Sequence, residues 1–357
     1  MTQRLFTPGP LTTDARVRDA MRRDWGSRDA AFIALTADLR RRLLDVANGA
    51  DSHVAVPLQG SGTFVLEAAV GTLMGREHKL LVLINGAYGR RMATIARRLG
   101  LTVETLDHPE NAPVDAARLA AALAADPAIT HVSLVHVETT TGLLNPLEAV
   151  AQVVERAGRR LLLDAMASFG ALPLDLAGTP VAAVLASSNK GLEGPPGLGF
   201  ALVERTLIEQ AEGRNPSLSF DLHAQWRGFA ADGQWRFTPP VQIVAGLVEA
   251  LRLLETEGGP QARLARYQRR FDRVAAGLEP LGYRLYLDRP LQSPIIATFV
   301  PPSGRPFDFA ALYDRLAARG LVIYPGKLTD AETFRIGCIG ALEDADFDDL
   351  VNAIAEG

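Results

Sequence analysis

Short, unbroken apolar runs alternate with Ala/Leu/Arg-rich amphipathic stretches, and this rhythm constrains the chain more than any other feature. Leu80–Ile84 and Leu161–Leu163 contain no polar residue, and strands of that kind are stable only when both of their faces are covered. Candidate strands fall at Val54–Leu58, Lys79–Ile84, Leu101–Thr105, His131–His136, Arg160–Asp164, Ala182–Ala186 and Leu198–Val203. Helical periodicity lies between most of them, as at Met92–Leu99, Asp115–Ala124 and Leu147–Ala157. The pattern predicts an α/β fold with a mainly parallel, doubly wound sheet of seven strands. After Thr238-Pro239-Pro240 the rhythm changes. A helix over Val241–Glu257 ends at Gly258-Gly259, a good cap and break, and a second helix follows over 261–281. Strands near 283–287, 295–300 and 321–324, with helices at 309–319 and 345–355, predict a smaller C-terminal α+β domain. The expected division is an N-terminal arm over 1–14, a large domain over 15–240, and a linking helix plus small domain over 241–357.

Charge and cysteine content exclude several functions. Lys plus Arg number 37 and Asp plus Glu 41, a net charge of −4, whereas a general nucleic-acid binder carries a basic excess. The single cysteine, Cys338, can form neither an internal disulfide nor a thiolate zinc site. Histidines 53, 78, 108, 131, 136 and 223 include no HxH or HxxxH pair, so no metal site is expected. No stretch is long and apolar enough to span a bilayer, and Pro8 interrupts the N-terminus before an export core could form. A cytoplasmic protein without membrane or nucleic-acid partners is expected.

In α/β sheets, ligands collect beyond the carboxyl ends of the strands. Three segments there carry chemistry. Gly60-Ser61-Gly62-Thr63 leads from a strand into a helix, a cradle where backbone N–H groups and the helix dipole favour an anion. Asp164 follows three leucines, and such a desolvated carboxylate needs a cationic or N–H partner. Lys190 follows Ser187-Ser188-Asn189 and precedes a glycine-rich loop, well placed for a Schiff base if its amine is held neutral. Taken singly, these also read as a tight turn, a loop-capping aspartate and a solvated lysine. Taken together and in order, they match what pyridoxal phosphate requires: a phosphate cradle, a carboxylate for the pyridine nitrogen and a lysine for the aldehyde.

The chain resembles the class V, fold type I, pyridoxal phosphate-dependent aminotransferases, and within them the branch acting on aminophosphonates. The similarity runs from Thr7-Pro8-Gly9-Pro10 through Asn85-Gly86-Ala87-Tyr88-Gly89 and His136-Val137-Glu138-Thr139-Thr140-Thr141-Gly142 to Phe334-Arg335-Ile336-Gly337. Trp235-Arg236-Phe237-Thr238 and Val322-Ile323-Tyr324-Pro325-Gly326-Lys327 resemble the phosphonate branch in particular. The resemblance implies transfer of an amino group from 2-aminoethylphosphonate to pyruvate, with pyridoxal 5′-phosphate as cofactor. A serine or alanine–pyruvate or glyoxylate aminotransferase is the alternative within the class. A lyase or a non-catalytic protein of the same fold stands further off. By the same resemblance Lys190 is the Schiff-base lysine and Asp164 the partner of the pyridine nitrogen. Ser61, Gly62, Thr63 and Asn189 hold the phosphate, Tyr88 stacks on the ring, Thr140 sits beside the phenolic oxygen, and Met166 adds to the cofactor site. Thr238 reaches the phosphate from a second subunit, which implies a homodimer with shared active sites. Arg335, with Gly9, binds the acidic end of the substrate. Arg28, Gly191, Pro195 and Cys338 depart from the pattern the resemblance implies.

Overall fold

The computed structural model describes residues 3–304, 306–326 and 331–356. Seven strands form the main sheet, in the spatial order His53–Gln59, Leu198–Glu204, Ala183–Ser187, Arg160–Asp164, Ile129–Val135, Lys79–Ile84, Thr102–Asp107. Only Leu198–Glu204 runs against the others. All seven lie within one or two residues of the positions predicted from the apolar runs. The strand Arg160–Asp164 is buried from Leu161 onward, and Ala183–Ser187 throughout, as strands covered on both faces must be.

The parallel register brings the carboxyl ends of six strands, Asp107 of Thr102–Asp107 included, to one edge. Gln59, Ile84, Val135, Asp164 and Ser187 all terminate there, so the segments after them converge. Among the described residues, four helices lie outside the predicted set: Ala15–Ala20, Arg205–Glu209 and two longer ones, Ala30–Val46 and Leu222–Asp232, which both pack against the edge strand His53–Gln59. Leu222–Asp232 carried a local signal: Asp221 accepts a hydrogen bond from Ala224 N at 2.9 Å, an N-cap.

Two large buried cores are present, with a smaller third around Leu11, Val137, Tyr267, Ile295 and Ile339. The larger surrounds the sheet and takes in Val244, Leu247, Val248, Leu251 and Leu254 from the helix Val241–Glu257. The second gathers Phe271, Phe299, Phe334 and Phe347, and includes Phe6 from the N-terminal arm. That arm is tied down by parallel pairing of Arg4–Leu5 with Leu321–Val322. In the smaller sheet, Ile296–Val300 pairs with Phe334–Gly337, which in turn pairs with Tyr324–Pro325. The strand Phe334–Gly337 escaped prediction because it has four residues and an arginine in the middle. It is nonetheless fully buried.

Candidate active site

Asp164 is the last residue of its strand and is 2% exposed. Its Oδ1 accepts from Met166 N at 3.0 Å, while Oδ2 is buried with no partner among the described residues. Burial raises its pKa, opposed by the Met166 N–H and by the charges of Lys190 and Arg91. A buried carboxylate with one unmet oxygen calls for a cationic donor.

Lys190 stands three residues beyond the end of the neighbouring strand Ala183–Ser187. Its Nζ donates to Thr139 Oγ1 at 3.2 Å and lies 5.3 Å from the centroid of the Tyr88 ring. Burial pushes its pKa down to about 8, although the charges of Asp164 and Glu138 pull it up. Gly9 of the N-terminal arm lies against the stem of Lys190. A Cβ there would meet Lys190 Cγ and the Asn189 carbonyl oxygen, both at 3.1 Å, and the φ of +118° already favours glycine.

The anion cradle opens the helix Gly62–Leu73. Ser61 is its N-cap residue but makes no capping hydrogen bond, which leaves N–H groups and the helix dipole directed outward. A Cβ on Gly62 would lie 2.5 Å from Met166 Sδ, so the cradle and the Asp164 loop are in close contact. Thr63 Oγ1 accepts from Arg91 Nη1 at 3.2 Å, and the Arg91 guanidinium sits 4.8 Å from the Tyr88 ring centroid. Arg91, exposed on its helix, thus reaches the rim of the site.

A cavity of about 310 Å³ is lined by Pro8, Gly9, Tyr88, Thr139, Lys190, Tyr324, Pro325 and Arg335. Arg335 enters from the strand Phe334–Gly337 of the smaller sheet and is 2% exposed. Its Nε donates to Pro325 O at 3.0 Å and its Nη1 to Thr139 O at 3.0 Å. These bonds aim the guanidinium at a cavity whose other end is Lys190. Pyridoxal phosphate fits these residues. The unmet Oδ2 of Asp164 matches a protonated pyridine nitrogen, the helix N-terminus a phosphate, and Lys190 an aldehyde.

A family model described as aminotransferase class-V matches residues 17–327. The chain belongs to the class-V aminotransferase family. This aminotransferase is 51% identical over 352 residues to the 2-aminoethylphosphonate–pyruvate transaminase of Pseudomonas putida KT2440, covering 99% of this chain and 96% of that one. It is also 51% identical to 2-aminoethylphosphonate–pyruvate transaminase 2 of Burkholderia lata, covering 99% and 94%. Among solved structures, the alanine–glyoxylate aminotransferase of a Nostoc species superposes with a TM-score of 0.93 at 26% identity, covering 100% of this chain and 95% of that one.

Thr140 and Cys338, both named from the sequence, do not line the cavity. Thr140 does not offer its hydroxyl to the cavity: it is fully buried and donates to Glu138 Oε1 at 2.6 Å. Thr139, one residue earlier, faces Lys190 instead. Cys338 is no part of the substrate mouth; it is fully buried in the second core, where burial pushes its thiol up to about 12. Thr238 is exposed in the single chain, away from the lining residues of the cavity. Arg28 lies outside the lining as well, while Gly191 and Pro195 are buried in the lysine loop. Lys327 lies outside the described residues.

Three neighbours of the site went unnoticed in the sequence. Thr139 and Tyr324 line the cavity, and Glu138 holds its wall. Glu138 Oε1 accepts from Thr140 N at 3.2 Å and its Oε2 from Tyr88 N at 3.3 Å, which fixes the start of the Tyr88 helix. Burial raises the Glu138 pKa. For Glu138 and Thr139, the position directly after a strand, within His136–Gly142, was the available signal.

Proposed function

We propose that this aminotransferase moves the amino group of 2-aminoethylphosphonate to pyruvate, giving phosphonoacetaldehyde and L-alanine. The observation that carries the reading is 51% identity over 99% of the chain to a transaminase of that name. The site supports it: one buried guanidinium faces a lysine across a small cavity, and both substrates carry an anionic group close to the reacting carbon.

Bound pyridoxal phosphate supplies an electron sink for the carbanion left when a proton departs from the substrate carbon. Lys190 Nζ would hold the cofactor at its aldehyde. Lys190 Nζ would accept the proton from the substrate carbon as base and, once protonated, serve as the acid. Its pKa of about 8 suits that work, because roughly a tenth of such amines are neutral at pH 7, against far fewer for an ordinary lysine. Asp164 Oδ2 accepts from the ring nitrogen and keeps it protonated. Arg335 binds phosphonate or carboxylate through its planar fork, which suits either group. Tyr88 would lie against the ring, and the cradle at 61–63 with Asn189 would hold the phosphate.

Thr238 completes the phosphate site from a second copy of the chain, so the working unit is a homodimer, and it acts in the cytoplasm. The exposed Thr238 and the 39% exposed Phe237 support this. Among the described residues no helix is long and apolar enough to cross a membrane.

The alanine–glyoxylate reading is kept open by the Nostoc structure, which superposes over the whole chain. Purified protein given 2-aminoethylphosphonate and pyruvate should form alanine and phosphonoacetaldehyde in equal amounts. Robust turnover with alanine or serine and glyoxylate, and none with the phosphonate, would reverse the assignment.

A further inference from the structure

Behind the lysine, away from the cavity, lies a buried charge cluster that the reaction itself does not use. Glu193 has φ +56°, in the left-handed region where glycine is the default residue, although Gly191 and Gly194 are its near neighbours. A glutamate retained in such a conformation points to a use for its side chain. Its own N–H donates to the Lys190 carbonyl at 2.8 Å, closing a turn that begins at the lysine. Its Oε1 accepts from Tyr267 Oη at 2.6 Å, from Arg266 Nη2 at 3.0 Å and from Gly340 N at 2.9 Å.

Those partners belong to the other half of the molecule. Tyr267 and Arg266 lie on the helix Gly259–Leu278, and Gly340 follows the strand Phe334–Gly337 that carries Arg335. Gly340 is held from its other side too, because its carbonyl accepts from Arg266 Nη1 at 3.1 Å and Arg270 Nη1 at 2.9 Å. Arg263, 2% exposed, donates through Nη1 to the Gly191 carbonyl at 2.9 Å, one residue from Lys190. Glu257 supports the pair, bonded to Arg263 at 2.7 Å and to Arg266 at 2.7 Å.

We infer that Glu193 is a positioning residue that sets Lys190 against Arg335, by pinning the lysine turn and the segment after the arginine strand to one carboxylate oxygen. The inference rests on the roles proposed above for Lys190 and Arg335. A loose pin lets the two ends of the cavity drift apart, and a substrate that must reach both then binds and reacts poorly.

Glu193→Gln keeps the shape and removes the charge, and Tyr267→Phe removes a single donor. The cofactor-loaded proteins are compared by the pH at which the absorbance band of the lysine–cofactor adduct titrates, and by kcat and KM for both substrates. For Glu193→Gln the expected result is a displaced titration midpoint and a rise of about ten-fold in both KM values, with cofactor still bound, since misplacement of reacting groups by about an ångström costs up to a hundred-fold. Tyr267→Phe should move the same quantities in the same direction by less. Wild-type titration and KM values in a folded Glu193→Gln overturn the inference. If that variant does not fold, wild-type values in Tyr267→Phe overturn it. A wild-type protein with no lysine–cofactor band would instead overturn the functional reading, and this inference with it.

Discussion

Thr139 accepts a hydrogen bond from Lys190 Nζ at 3.2 Å through its hydroxyl, and its carbonyl accepts from Arg335 Nη1 at 3.0 Å. One loop residue after the strand Ile129–Val135 therefore touches both the amine and the guanidinium. Thr139→Val keeps the shape and the carbonyl but removes the hydroxyl. Turnover should fall about ten-fold, the worth of one hydrogen bond to a charged or reacting group. KM should change little, because the Arg335 contact is to the backbone. Steady-state rates with both substrates test this, and an unchanged kcat would remove the hydroxyl from the mechanism.

Asp164→Asn should be far more damaging. The amide has nearly the same volume but cannot stabilise a protonated ring nitrogen, so the electron sink is lost. We expect kcat to fall by at least about a hundred-fold, within the range for loss of a proton-holding group. Cofactor affinity, measured by titration of the apoprotein, should weaken as well. Full activity in this variant would contradict the fit of Oδ2 to the ring.

Arg335→Lys should raise KM for both the amino donor and the oxo acid by roughly ten- to hundred-fold, since an ammonium replaces a planar fork that binds two oxygens at once. Cofactor content should be unaffected. An effect confined to one substrate would mean that the other finds its anion site elsewhere.

His136 predicts a pH effect on stability. It is buried, its Nδ1 lies 3.0 Å from Ser168 Oγ, and burial lowers its pKa to about 4. The unfolded chain binds a proton at this residue from about pH 6.5 downward, and the folded chain does so only near pH 4. Its contribution is therefore fully present above pH 6.5 and is lost as the pH falls toward 4, by up to about 1.4 kcal/mol per pH unit. Denaturant melts of wild type and His136→Asn across that window should differ in slope by about that amount. Parallel slopes would show that the histidine titrates in the fold.

Much of this was legible because the relevant forces are local. An unbroken run such as Leu161–Leu163 can be read as a covered strand without knowing what covers it. A residue at the end of such a strand is then placed at the binding edge of the sheet. Gly60–Thr63, Asp164 and Lys190 were found in that way. The bond partners of Arg91 and Thr140 were not legible, because a side chain's direction within one turn of helix or loop depends on its neighbours. Glu138 draws Thr140 inward, and Thr63 with the Tyr88 ring draws Arg91 toward the cradle.

By itself the sequence determined the sheet, its mainly parallel direction and the three elements of the cofactor site, since hydrophobic periodicity and turn chemistry act over a few residues. Only the tertiary structure decided that Thr139 and not Thr140 meets the lysine, and that Cys338 is core. It alone brought Arg335 to the cavity from a strand too short to carry a period. It also joined Glu193 to Gly340 through one oxygen. Such contacts link residues far apart in the chain, and they follow from how two separate cores pack against each other, which no local pattern encodes.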